Sequence, residues 1–244
     1  MPGRPAPGPL DDVPPEARVA TVLSVFRDAS TSPAHVTTAD GAHWVLKFAG
    51  AGPGPTGLLT EFLALGIAAA FGAPVPSTRP LWLPQGFPWM AGTDEFDAML
   101  QRSYGWNLGI AFLPDARPVA AAEIASCNPH ILDTIANSDA LLQNVDRTAA
   151  NPNLLMTASG LRAIDYDACL YLGRALGSPR ASSRQLPAGH LLAGRPLWPG
   201  LPSLDLAGLV AAAPAAWVDS AGTDPSGLTS ALGRYVAGWQ TAAP

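Results

Sequence analysis

The sequence predicts an α+β chain in two parts: an antiparallel sheet with one helix, then mostly helices around a small hairpin. Three observations point there. Short valine-rich runs bounded by turn formers dominate the N-terminal half, and an Asp40-Gly41 pair marks a tight hairpin between two of them. Apolar residues fall at helical spacing in one early segment and again further on. The composition shifts near residue 115, where strand-like runs give way to helical ones.

Val19 to Phe26 (VATVLSVF) is the first expected strand, followed by the polar loop RDASTSP. His35 to Thr38 and His43 to Phe48 pair across the Asp40-Gly41 turn. AGAGPGPTG is expected as loop throughout, because glycine and proline at that density suit neither helix nor strand. Leu58 to Phe71 follows as a helix, stopped by GAPVPS, and Arg79 to Leu83 as a fourth strand. Residues 84–104 carry no clear period, and Asn107 to Leu113 is a further strand ended by Pro114. Glu123 to Cys127 can open a helix. His130 to Gln143 (HILDTIANSDALLQ) is a stronger one, with Ile131, Leu132, Ile135, Leu141 and Leu142 available to a core. NVDRTAANPN is a polar loop, and Leu154 to Met156 and Leu161 to Ile164 form a hairpin around Ser159-Gly160. The rest is broken by proline and glycine, with helices at Asp205 to Ala213 and Leu228 to Gln240. Residues 1–16 form a Pro-rich lead-in, 17–114 a first lobe and 115–244 a second.

Composition excludes several classes. Hydrophobic residues make up 48% and charged residues 14%, too apolar for a disordered chain. A net charge of -5 argues against nucleic acid or an anionic membrane as the main partner. The longest apolar stretches are interrupted by Glu61 or Pro214 and fall short of a membrane span, and the start lacks the apolar core of a secretory signal. The expectation is a cytoplasmic protein of bacterial type. Cys127 and Cys169 make no metal or disulfide framework, and the four histidines no zinc pair. Neither a GxSxG elbow nor a Walker A loop is present. Of 14 basic residues all but Lys47 are arginine, so the surviving lysine stands out.

Lys47 falls on the third expected strand and Glu61 early in the helix that follows. Asp146 and Asn151 share one loop, and Asp165 follows the hairpin that leaves it. Phosphoryl transfer needs such a set: a cation on the nucleotide phosphates, an anion to hold it, oxygen ligands for magnesium, and a carboxylate near the accepting hydroxyl. The spacing D-R-x-x-x-N, then a hairpin and I-D, brings the last three together.

At these residues the chain resembles the HipA-like kinases, on the phosphoinositide-kinase-like side of the kinase fold. The resemblance rests on NVDRTAANPNLL and GLRAIDYDACLYLG, with support from DGAHWVLKFAGAGPG, the PVP pattern after Glu61, NLGIAFLP and the terminal helix. It implies a two-lobed protein-kinase-like fold with ATP and Mg2+ as cofactors. Lys47 would contact the phosphates and Glu61 pair with it; Asp146 would be the catalytic aspartate, and Asn151 and Asp165 the metal ligands. Ser30, Thr31 and Ser32 would lie in the loop covering the phosphates, and backbone groups near Phe112 and Leu113 would meet adenine. Two departures stand out. Thr148 replaces a histidine common in relatives, and IDYD places Tyr166 and Asp167 where histidine or small residues are usual.

The expected reaction is transfer of the γ-phosphoryl group to a hydroxyl, of a protein Ser/Thr or of the chain itself at Ser30 to Ser32. A small-molecule hydroxyl in a biosynthetic pathway stays open, as does AMP transfer. The glycine-free loop and the IDYD segment equally suit a nucleotide-binding pseudokinase that acts through a partner protein. No feature demands an antitoxin-like partner.

Overall fold

The structure, a computed structural model, describes residues 13–27, 29, 31–88, 93–177 and 184–242. The chain divides into two compact units: residues up to Leu58 with Ser77–Phe112, and Leu59–Pro76 with everything from Leu113 onward. Ser30 lies outside the described residues.

The first unit is built on an antiparallel five-stranded sheet. Its strands are β1 (Val19–Val25), β2 (Ala34–Thr38), β3 (His43–Lys47), β4 (Thr78–Leu83) and β5 (Gly105–Ala111), in the order β1-β2-β3-β5-β4. The Asp40-Gly41 turn closes β2 onto β3, with Gly41 at φ 85° and the Asp40 carboxylate accepting the Ala42 amide. Alternate residues of β2 and β3 (Ala34, Val36, Trp44 and Leu46) turn into one core with Val19, Val22, Leu81 and Leu83. Helix α1 (Pro55–Ala70) carries the chain from this unit into the second.

Residues 84–104, which the sequence leaves unassigned, contain helix α2 (Asp94–Gln101). Thr93 Oγ1 caps it by accepting the Phe96 amide, and Asp94, Glu95 and Asp97 oppose the positive end of its dipole. Phe96, Met99 and Leu100 cover the sheet, Phe96 meeting Phe48 edge-on at 5.7 Å. The turn after β3 fits against this helix closely. A Cβ on Gly50 would stand 2.5 Å from the Met99 carbonyl and 2.7 Å from Ser103 Oγ. Gly50→Ala should therefore destabilise the protein by about 1–3 kcal/mol, read as a lowered urea midpoint at unchanged slope.

One expectation is corrected here. AGAGPGPTG is not loop throughout, since α1 begins at Pro55 and takes in Thr56 and Gly57. Proline suits a first helical position because its missing N–H would have no intrahelical partner there.

The second unit holds the rest of α1, helix α3 (Pro129–Leu142), and a three-stranded sheet of β6 (Arg117–Pro118), β7 (Leu154–Thr157) and β8 (Gly160–Ala163). Helices α4 (Tyr171–Leu176), α5 (Leu206–Ala212), α6 (Ala215–Ser220) and α7 (Pro225–Thr241) complete it. A 3-10 turn over Ala121–Ser126 stands where a helix could open at Glu123. Buried tyrosines tie the elements together. Tyr171 OH donates to Thr60 O of α1 at 2.9 Å, and Tyr235 OH of α7 to Leu141 O of α3 at 2.6 Å. Trp217 of α6 meets Phe62 edge-on at 5.9 Å. Among the described residues no helix is long and apolar enough to cross a membrane.

Candidate active site

The loop after α3 is shaped from inside. Asn128 caps the start of α3 by accepting the His130 amide, and Gln143 ends the helix in a left-handed turn at φ 54°. Asn144 then folds back, its amide N–H on Asp139 O and its side chain on Asp139 Oδ1 at 3.3 Å. Its own Oδ1 accepts the Asp146 amide at 3.1 Å. Arg147 is fully buried and donates from Nε to Asp139 Oδ2 at 2.6 Å. Its Nη1 donates to the carbonyls of Pro152 and Asn153, at 3.1 and 2.6 Å, and its guanidinium lies 5.0 Å from the Tyr166 ring centre. His190 takes part as a structural group. Its Nδ1 accepts the Leu192 amide at 3.1 Å, so its proton sits on Nε2 and faces Asp139 Oδ2 at 3.1 Å.

With Arg147 turned inward, Asp146 is half-buried. Its Oδ2 accepts two side-chain amides, from Asn151 at 2.7 Å and Asn153 at 2.9 Å. Thr148 closes the loop. Its hydroxyl accepts the Asn151 amide, and its N–H donates to the Asn151 carbonyl.

The hairpin of β7 and β8 returns the chain to this loop, where the Ile164 N–H donates to Asn153 O at 3.0 Å. Asp165 follows with φ 60°, a conformation rare for residues other than glycine and asparagine and often found at functional sites. Tyr166 turns into the core, fully buried beneath Arg147, and its N–H donates to Glu61 Oε1 at 3.3 Å. Glu61, Asp165 and Asp167 thereby gather with carboxylate oxygens all within 4.8 Å of one another. Three carboxylates at that separation repel, and oxygen donors of this kind fit a hard divalent cation. The IDYD departure thus sends its tyrosine inward and adds a carboxylate, Asp167, to the cluster.

In the first unit Lys47 ends β3 opposite Leu108 of β5. Just beyond it, the Ala49 N–H donates to the buried Asn107 Oδ1 at 2.8 Å. Thr31 lies against Gly52, and Ser32 takes φ 45°. The Phe112 N–H donates to His43 O at 3.2 Å and its ring stacks on His35 at 3.8 Å. Leu113 opens the second unit.

Asp139, Asn144 and Asn153 belong to the network although no sequence motif assigns any of them a role, and Arg147 is marked only as part of the D-R-x-x-x-N spacing. A signal existed for Asp139 and Arg147: a carboxylate at a buried position late in α3 and an arginine shortly after the helix.

The Asp139 carboxyl shows how the site depends on pH. Burial works to raise its pKa, but the Arg147 guanidinium and then the His190 hydrogen bond hold it below its ordinary value. The folded protein therefore binds fewer protons here than the unfolded chain, and the stabilisation is complete above the ordinary carboxyl range, about 3.9. It is lost as pH falls through the folded-state value. Urea midpoints should thus fall steeply below about pH 4, and Asp139→Asn should flatten that fall.

The chain is similar to a solved structure described as a Helicobacter pylori proinflammatory kinase CtkA, with 13% identity and TM-score 0.47, covering 92% of this chain and 95% of that one. None of the curated proteins matches it. The model of the HipA-like kinases matches residues 19–171, which span Lys47, Glu61, the Asp146 loop and the Asp165 segment. On that match, over more than half its length, this chain belongs to the HipA-like kinase family of phosphotransferases.

Proposed function

We propose that the chain is an ATP- and magnesium-dependent kinase that passes the γ-phosphoryl group to a hydroxyl, of a protein serine or threonine or of its own Ser30 to Ser32 segment. The observation that supports this most is the gathering of Glu61, Asp165 and Asp167 within 4.8 Å of one another. Asp165 and Asn151 would hold the cation, with Glu61 and Asp167 as further carboxylates beside Asp165. A divalent cation held by these residues would supply neutralisation of the charge that develops on the phosphoryl group in transfer.

The chain's own residues supply the remainder. Lys47 would offer a compact ammonium to the phosphates, a role a guanidinium fork does not fill in the same way, and Glu61 would orient it. Asp146 would accept a hydrogen bond from the acceptor hydroxyl and take its proton as the oxygen attacks. Backbone groups near Phe112 and Leu113 would meet the adenine ring, and Thr31 and Ser32 would lie over the phosphates. The alternative, a nucleotide-binding pseudokinase that acts through a partner protein, rests on the glycine-free loop and the IDYD segment, whose Tyr166 is buried against Arg147.

Calorimetric titration with ATP, with and without magnesium, tests the proposal. Wild-type protein should bind magnesium-ATP at least about tenfold more tightly than ATP alone, and Asp165→Ala should lose that difference. Equal binding with and without magnesium in both proteins would overturn the metal assignment. Binding without transfer or release of the γ-phosphate would favour the pseudokinase.

A further inference from the structure

We propose that Asn153 is a positioning residue that sets the orientation of the Asp146 carboxylate, so that Oδ1 is the oxygen offered to the acceptor. The inference rests on the reading of Asp146 as the catalytic base.

A carboxylate on a loop can rotate about two side-chain bonds, and a base must hold its lone pair toward the proton it takes. Here Oδ2 is occupied by two amide donors, Asn151 Nδ2 at 2.7 Å and Asn153 Nδ2 at 2.9 Å. Hydrogen bonds to an ionised group are the strong ones, and two on one oxygen fix the carboxylate plane. Oδ1 is then left to meet a hydroxyl.

The two asparagines are not equivalent. Asn151 is exposed, and its oxygen has a second task in the metal site proposed above. Asn153 is half-buried and braced from both sides. Its carbonyl accepts Arg147 Nη1 at 2.6 Å and the Ile164 N–H at 3.0 Å. The first bond ties it to the buried Arg147–Asp139 pair, and the second to the segment that carries Asp165. One residue therefore joins the candidate base, the buried ion pair and the carboxylate cluster.

The side chain suits the place. Its backbone has φ 49°, which asparagine tolerates better than most residues. Its amide supplies a donor where aspartate would set a second negative charge against Asp146. Glycine would keep the backbone and the carbonyl bonds while removing only the amide arm.

Asn153→Gly is thus the informative variant, assayed for γ-phosphate release from magnesium-ATP with water as acceptor, beside wild type and Asp146→Asn. The expected result is a kcat lowered by up to about 100-fold, with KM for ATP and the thermal midpoint close to wild type. A crystal structure of the variant should show the Asp146 carboxylate rotated from its present position. An unchanged kcat would overturn the inference, while the contrast between wild type and Asp146→Asn would still uphold the kinase reading. Parallel losses of kcat, ATP affinity and thermal midpoint would overturn it too, by showing a merely structural role. If wild type neither releases phosphate nor incorporates it into its own chain, the pseudokinase reading is favoured over the kinase one. The crystal structure then decides the positioning role, and an unmoved Asp146 carboxylate overturns it.

Discussion

Asp146→Asn is expected to lower γ-phosphoryl transfer by about 10²- to 10⁴-fold while leaving fold and nucleotide binding intact. The substitution keeps the size of the side chain and changes its chemistry in two ways. An amide cannot take the proton of an acceptor hydroxyl at neutral pH. It also has only one oxygen, and the amides of Asn151 and Asn153 both need an acceptor. With its oxygen turned to them, the variant presents an NH2 group to the incoming hydroxyl, a donor where an acceptor is required. The loss should therefore fall on kcat, with KM for ATP nearly unchanged. Initial rates with labelled ATP, beside calorimetry and thermal melts of the same preparations, check it. Turnover at the wild-type rate in Asp146→Asn would remove Asp146 from the mechanism.

Arg147→Met should have the largest effect on stability. Arg147 is fully buried and paired with the equally buried Asp139 at 2.6 Å. Removing one partner of such a pair costs about 3–5 kcal/mol, because the other charge stays behind in a dry interior. A domain has only about 5–15 kcal/mol of net stability, so roughly a fifth or more would be lost. The carbonyl of Pro152 would lose its donor and that of Asn153 one of two, loosening the loop. Arg147→Lys should not rescue it, since one ammonium cannot span Asp139 and both carbonyls. The double variant Asp139→Leu with Arg147→Met should be more stable than Arg147→Met alone, because it leaves no orphaned charge. Urea denaturation of the single and double variants measures this. A double variant less stable than Arg147→Met would show that the network, and not the isolated charge, carries the stabilisation.

Much of the fold was legible because local chemistry is strong where the elements begin and end. The Asp40-Gly41 turn, the alternation of β2 and β3 and the apolar run of α3 each announce themselves within a few residues. α2 was harder to see, since three of its eight residues are acidic and its placement rests on the Thr93 cap and the sheet it covers. α4 and α6 have six residues each, too few for a helical period to show. At the site, Asp146, Asn151 and Asp165 stand out by spacing. Asn153 does not, because it ends an Asn151-Pro152-Asn153 segment that also reads as an ordinary turn.

The sequence by itself determined the α+β order of elements, the hairpin turns, the lone lysine and the set of carboxylates and amides that phosphoryl transfer needs. These depend on backbone preferences and residue chemistry, which act over a few positions. Only the tertiary structure decided which groups meet: that Arg147 turns inward to Asp139, that Tyr166 lies beneath it, that Glu61 joins Asp165 and Asp167, and that Asn153 holds Asp146. Of those pairings only the one with Glu61 spans much of the chain, but none follows from a helical period, a strand alternation or a turn type. A buried charge or polar group must find a partner when water is excluded, and packing alone sets which partner lies within reach.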